Sequence, residues 1–471
     1  MSDEFSPAEF GAAWQKFIEY VNGQIPTPEP LAPPLMNKLL EFMEADPTQM
    51  VILNESFLVR ELPNVQLAFN HYLTGPERFA EQLGYVAAHD HPGFGLMSIL
   101  SGRQWQMVTE GPVQYRSVEL ANGERLQCME KGLYLIRDHG QKAVAFVHTE
   151  EHFLGGPPIN IEIMCPEADR AEAMLAELRE LVYKHNVYRG HVISLGGRGP
   201  DDIRFHHLPL INREEIILPQ HLLETVERNT VIFAEHSARL LAAGRHLRRG
   251  LLFHGAPGTG KTLTIMYLAA QMKGRTIILM TGRMMGLIGP SCQLARALAP
   301  AVVVMEDVDL VAVERGRNEQ HTGPLLFELL NEMDGLAEDT DVMFLLSTNR
   351  PDTLEPALAA RPGRIDQAIE FPLPDADCRK RLIQLYGRGL EMQLDEAQLD
   401  DMVRRTDGVS PAFIRELLRK AALLAAEETR GSLDAPIVND THLREALFNI
   451  VREGGQLTKK LLGVKPEALE L

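Results

Sequence analysis

Residues 255–262 read Gly255-Ala256-Pro257-Gly258-Thr259-Gly260-Lys261-Thr262. The octet fits G-x-x-x-x-G-K-[ST]. It stands between an apolar run, LLFH (251–254), and a helical pattern, LTIMYLAAQM (263–272), which is the context the motif requires. Its glycines let the backbone curl until its N–H groups face phosphate oxygens, and the following helix adds the positive end of its dipole. Lys261 then neutralises the β- and γ-phosphates of a nucleotide, and the Thr262 hydroxyl ligates Mg²⁺. A glycine-rich turn without a ligand would not need a strand before it and a helix after it.

Downstream, three more near-continuous apolar runs appear: TIILMT (276–281), AVVVME (301–306) and VMFLLST (342–348). Strands buried on both faces of a parallel sheet read this way. In such sheets ligands sit at the carboxyl ends of the strands, so the residues just past each run are the candidates. Past the second run stand Glu306 and Asp307, with Val308 and Asp309 beyond. One acid suits Mg²⁺, usually through water, and the other suits polarising an attacking water. Past the third run stands Asn349, whose amide suits orienting that water. In ARPGRID (360–366), Arg361 and Arg364 lie on a Pro-Gly turn, and their guanidinium groups suit bidentate phosphate contact. They lie far along the chain from their own P-loop, which predicts insertion into a neighbour's site. From 375 to 452 the patterns are helical, as expected of a lid.

The segment 210–452 resembles an AAA-family ATPase. The resemblance rests on RRGLLFHGAPGTGKT (248–262), VVVMEDVD (302–309), LLNEMDGL (329–336), STNRPDTLEPALAARPGRID (347–366) and GVSPAFIRELLRKA (408–421), and covers about half of the chain. It implies a P-loop domain with a helical lid, assembled as a homo-oligomeric ring, usually a hexamer, with a heptamer as the alternative. ATP or ADP would sit between subunits with Mg²⁺. By motif position, residues 255–262 with Leu263 contact the nucleotide, and Gly408 and Ala412 approach it from the lid. Thr262 and Glu306 take the metal role and Asp307 that of the catalytic acid. Asn349 matches sensor 1, and Arg361 and Arg364 match trans-acting arginine fingers.

The chain departs from the family pattern in two places. The usual acidic order is Asp then Glu, whereas here Glu306 precedes Asp307. That order resembles the mitochondrial AAA branch that matures the Rieske iron–sulfur subunit. The stretch matching the aromatic-hydrophobic-Gly pore loop is Leu287-Ile288-Gly289, with Met284 and Met285 nearby. No H-E-x-x-H occurs, so no fused zinc peptidase of that type is expected, and there is a single P-loop.

Upstream the style is mixed. MVILNESFLV, PVQYRSVEL, RLQCME, GLYLIR, KAVAFVHTE and INIEIMC read as strands. Asn122-Gly123 between two of them signals a hairpin. Residues 167–185 read as one helix, and VYRGHVISLG reads as a further strand closing the same α+β domain. The expected fold is therefore α/β: a P-loop AAA domain (209–374) with a helical lid (375–455), preceded by an α+β partner-binding domain (36–208). Residues 1–35 form an N-terminal helix with a Pro-rich linker, GQIPTPEPLAPP, and 456–471 form a tail. His89-Asp90-His91, the group His148, Glu150, Glu151 and His152, and His206-His207 read as loop or packing histidines rather than metal ligands.

The composition supports a soluble, cytoplasmic reading. Of 471 residues, 45% are hydrophobic and 24% charged, and no run of 18 apolar residues suggests a membrane anchor. The formal charge is −18, and residues 1–150 carry 10 basic against 19 acidic side chains. Nucleic-acid binding leans on Lys and Arg, so no nucleic-acid partner is expected. Four widely spaced cysteines read as reduced thiols. The favoured function is an ATP-hydrolysing ring that remodels or translocates a protein client recruited by the N-terminal domain. The alternative is a slow-turnover, nucleotide-gated binding scaffold.

Overall fold

The computed structural model describes residues 13–14, 16–17, 34–87, 94–100, 108–149, 158–196, 201–280, 286–309, 324–335, 340–354, 364–428 and 436–453. The chain divides into two units, Met1–Val187 and Tyr188–Leu471. Almost all of the expected N-terminal helix and the Pro-rich linker lie outside the described residues.

In the first unit, seven antiparallel strands form one sheet. Its order runs Val51–Phe57, Ile159–Cys165, Gln141–Thr149, Arg125–Asp138, Arg78–Ala87 and Val108–Gly111, with Gln114–Glu119 also on Arg125–Asp138. RLQCME and GLYLIR are thus one long strand. The hairpin expected at Asn122-Gly123 forms, with Gly123 at φ 79° and the Asn122 Oδ1 accepting from the Glu124 N–H at 3.0 Å. Period-2 alternation sends Tyr134 and Ile136 to one face and Leu133 and Leu135 to the other. The first face packs on the helices Leu62–Leu73 and Ala168–Lys184; the second packs on Pro34–Met43 and Leu96–Leu100. Both faces are covered, which is why Gln141–Thr149 is almost continuously buried.

In the second unit a sheet runs Gln367–Glu370, Arg249–His254, Val342–Thr348, Ala301–Met305, Thr276–Met280, Val192–Leu195 and Ile203–His206. Every neighbouring pair is parallel except the last. The four apolar runs read from the sequence are its four central strands, flanked by helices whose apolar sides complete the core. A lid of four helices follows: Ala376–Tyr386, Glu396–Arg405, Pro411–Glu428 and Asp440–Phe448. Their starts are set locally, since Asp375, Asp395 and Asn439 each accept a backbone N–H as N-cap.

Five strands of the second unit differ from expectation. Val192–Leu195 was expected to close the α+β domain; it instead pairs with Thr276–Met280, and Ile203–His206 extends the sheet beyond it. A four-residue apolar run specifies a strand but not which sheet supplies its partner. Gln367–Glu370 is a strand too short for a periodicity signal. Within the helical region, Glu391–Gln393 and Ile437–Asn439 form a parallel pair whose members are 44 residues or more apart along the chain.

Among the histidines, His148 is buried with its Nε2 3.3 Å from the Glu162 Oε1, and His206 lies 2.7 Å from the Ser194 Oγ. His89, Asp90, His91, Glu150, Glu151 and His152 lie outside the described residues.

Candidate nucleotide site

The carboxyl edge of the second sheet gathers three of the sequence motifs. The strand Arg249–His254 delivers the loop 255–260, which runs into the helix Lys261–Gln271. Gly255, Gly258 and Gly260 all have positive φ, at 147°, 78° and 95°. A Cβ at Gly255 would meet the Phe371 carbonyl oxygen at 2.3 Å, and one at Gly258 the Ala412 Cβ at 2.8 Å. At Gly260 nothing lies within 4 Å, so there the backbone is open to a ligand. The Thr259 hydroxyl donates to the Ala256 carbonyl at 2.9 Å and is turned away from that opening.

Lys261 is buried. Its Nζ donates to the carbonyls of Gly255 and Ala256, both at 2.9 Å, and to the Asn349 Oδ1 at 2.8 Å. Burial lowers its pKa to about 8, against the opposing pull of Asp307 and Asp309. The ammonium is thus held in the cradle of the loop, with Pro257, Gly258, Gly260 and Thr262 around it on the cavity wall.

The acids follow the strand Ala301–Met305. Glu306 is partly buried, and burial raises its pKa while a hydrogen bond from Thr262 opposes the rise. Its Oε1 is buried without a partner. An orphaned carboxylate oxygen beside a P-loop threonine is a donor set that fits Mg²⁺, which takes few protein ligands and completes its shell with phosphate and water. Asp307 has φ 50°, a left-handed conformation that a non-glycine residue adopts at a cost of order 1–3 kcal/mol. Its N–H donates to the Ser347 Oγ at 3.2 Å, which helps hold the turn. Its Oδ1 accepts from the Asn349 Nδ2 at 2.9 Å. Asp309 lies behind, accepting from the Thr348 hydroxyl at 2.8 Å and the Asn349 N–H at 3.2 Å. Asp309 therefore orients the residue that orients Asp307.

The lid closes the site. The Ala412 N–H donates to the Gly258 carbonyl at 3.2 Å. A cavity of about 840 Å³ opens there, within the roughly 300–1,000 Å³ of small-molecule sites. Lys261, Thr262, Leu263, Asp307, Asn349 and Ala412 line it. Gly408 is not on its wall; at φ 72° it turns the chain into the helix Pro411–Glu428. Sequence reasoning missed Pro209, Ile211, Met266 and Tyr386, which give the cavity an apolar side, and Arg415 from the lid. Met266 stands one helical turn past Thr262, a signal that spacing alone supplies; the others come from elements that only the fold brings together.

Gly255, Ala256, Thr259 and Glu306, like Gly408, are not on the wall of this cavity. Arg361 lies outside the described residues. Arg364 is paired with Asp334 and is not on the wall. Ile288 of the pore-loop match is fully buried, at the start of the helix Ile288–Ala297, and Met284 and Met285 lie outside the described residues.

A phosphate-cradling loop, a lysine, a paired acid and amide, and a lid over one cavity define a P-loop nucleotide-binding domain. Residues 251–373 match the family "ATPase family associated with various cellular activities (AAA)". The chain is 34% identical to human ATPase family gene 2 protein homolog A over 227 residues, 46% of this chain and 25% of that protein. It is 31% identical to 26S protease regulatory subunit 6A of Caenorhabditis elegans over 218 residues, 44% and 49% of the two chains. It is 30% identical to ATP-dependent zinc metalloprotease FtsH of Nitrosococcus oceani over 254 residues, 51% and 37%. The chain carries an AAA P-loop ATPase domain. It spans about half or less of the length of these relatives. No described helix is long and apolar enough to cross a membrane.

Proposed function

We propose that this chain hydrolyses ATP as a subunit of a homo-oligomeric ring and uses the energy to remodel or translocate a protein client recruited by its first unit. The observation that carries the reading is the continuous chain Lys261–Asn349–Asp307, at 2.8 and 2.9 Å, along the wall of the cavity. It sets the group that neutralises phosphate and the group that polarises water in fixed relation. When nucleotide binds, Lys261 exchanges the loop carbonyls for β- and γ-phosphate oxygens. The Asn349 amide holds the Asp307 carboxylate toward the attacking water, and Asp307 draws on that water's proton. Thr262 and Glu306 would hold Mg²⁺, which neutralises charge on the phosphates. Tyr386, Pro209 and Ile211 offer the base an apolar slot.

Arg361 and Arg364 of an adjacent subunit would stabilise the transition state, worth roughly 10³–10⁵ in rate where such fingers operate. The test is phosphate release per subunit across the assembly range. A rise with protein concentration supports the trans arrangement; a flat profile through assembly contradicts it.

One observation favours the slower scaffold reading. Ile288 is packed inside rather than presented, which leaves the pore-loop match without a projecting aliphatic pair. A scaffold binds ATP tightly and turns over rarely whatever protein is added, whereas a motor is stimulated by its client.

A further inference from the structure

A second cavity, of about 280 Å³, lies in the second unit. One wall is the segment Arg213, Glu214, Ile216, Ile217, Gln220 and Leu223 leading into the sheet domain. The other is the end of the first lid helix and the turn after it: Arg381, Gln384, Leu385 and Arg388. Ile216 and Leu223 are buried and give it an apolar floor. Three arginines and one acid, Glu214, line it, with Glu227 beside Arg213 and Asp377 beside Arg381.

The three arginines differ in what they have to offer. Arg213 is committed to a bidentate pair with Glu227, at 2.8 and 2.9 Å. That pair anchors the wall. The Arg381 Nη1 comes only within 3.9 Å of the Asp377 Oδ2, beyond hydrogen-bond reach. No described carboxylate lies within ion-pair distance of Arg388, which is exposed. Arg381 and Arg388, neither hydrogen-bonded to a carboxylate among the described residues, therefore line the cavity together with Gln384. Carboxylates and phosphates are the groups that satisfy guanidinium donors two at a time. The volume is below that of a drug-sized site, which limits the ligand to one or two phosphate groups and little else.

We infer that this cavity is a binding site for a small phosphate-bearing anion, held by Arg381 and Arg388 and distinct from the nucleotide site. Its position gives the anion a consequence. Pro209 and Ile211 wall the nucleotide cavity, and Arg213 and Glu214 wall this one, two residues further along. Tyr386 lines the nucleotide cavity, and Arg381 and Gln384 of the same helix line this one. An anion here fastens the lid helix to the entry segment of the sheet domain.

The test is calorimetric titration of inorganic pyrophosphate into the full chain saturated with ADP, with Arg381→Gln/Arg388→Gln as the variant, and into the Lys261→Ala chain without ADP. The expected result is one pyrophosphate per chain in the wild type and in Lys261→Ala. The double variant should bind at least about tenfold more weakly, since each charged hydrogen-bond partner is worth about a factor of ten, and should keep its ADP affinity. If the double variant fails to fold, Arg388→Gln alone, on an exposed side chain, reads the same effect. Three results would overturn the inference: no binding beyond ADP, equal binding by the arginine variants, or binding lost in Lys261→Ala, which would place the probe in the nucleotide site.

Discussion

The Lys261 ammonium donates to the Asn349 Oδ1 at 2.8 Å, so the side chain proposed to meet phosphate rests on the residue that holds the proposed catalytic acid. The other end of the same amide donates to the Asp307 carboxylate. In the proposed mechanism, binding and water activation are thereby joined through one planar group. Substituting Asn349→Ala removes both bonds at once. Steady-state turnover should fall by about 10²-fold or more, the scale for removing one preorganised polar group, while ADP affinity stays within a few-fold. Equal losses in affinity and turnover would show instead that Asn349 serves binding alone.

Lys261 also makes nucleotide binding depend on pH. In the empty protein burial lowers its pKa to about 8 from 10.5. A depressed lysine holds fewer protons folded than unfolded, so between about 8 and 10.5 this group makes the empty protein more stable as pH rises. Phosphate beside the ammonium favours the charged form and raises the pKa again. Above pH about 8, ADP binding should therefore take up a proton and weaken with rising pH; well below about 8 it should do neither. Titration calorimetry in two buffers of different ionisation enthalpy, at pH 7 and about 9, measures the uptake directly.

Glu306 carries the metal prediction. Its Oε1 is buried without a partner, and burial, with the neighbouring Asp307 charge, raises the carboxyl's pKa against a hydrogen bond from Thr262. Mg²⁺ would satisfy that oxygen. Glu306→Gln keeps the shape and removes the charge, so the Mg²⁺ concentration needed for half-maximal ATP hydrolysis should rise by about tenfold, with metal-free ADP binding little changed. An unaltered Mg²⁺ requirement would remove Glu306 from the metal's surroundings.

Gly258 tests the seat of the lid. It has φ 78°, and a Cβ there would meet the Ala412 Cβ at 2.8 Å and the Ser410 Oγ at 3.0 Å. Gly258→Ala should cost about 1–3 kcal/mol through its backbone conformation. It should also push the lid away and weaken ADP binding beyond what Gly260→Ala does, because Gly260 shares the positive φ but faces open space. Chemical denaturation and ADP titration of the two variants separate strain from clash.

Much of this site was legible because its chemistry lies in contiguous motifs. GAPGTGKT needs only its own strand and helix, and Glu306, Asp307 and Asn349 follow apolar runs whose ends can be counted. What was not legible depends on distant partners. Val192–Leu195 looks like any short strand until Thr276–Met280 pairs with it. Tyr386 and Pro209 carry no motif, and their place on the cavity wall follows from the packing of the lid. Nor does sequence foretell that Lys261 rests on the Gly255 and Ala256 carbonyls, since those bonds exist only once the loop has curled.

The central claim is that Asp307 activates the water that cleaves ATP bound over Lys261. The direct measurement is phosphate release by wild type and Asp307→Asn side by side, with ATP affinity determined for both. The account predicts repeated turnover by the wild type, and a variant that binds ATP at least as tightly yet releases phosphate at least about 10²-fold more slowly. An Asp307→Asn protein that hydrolyses ATP at the wild-type rate would contradict it.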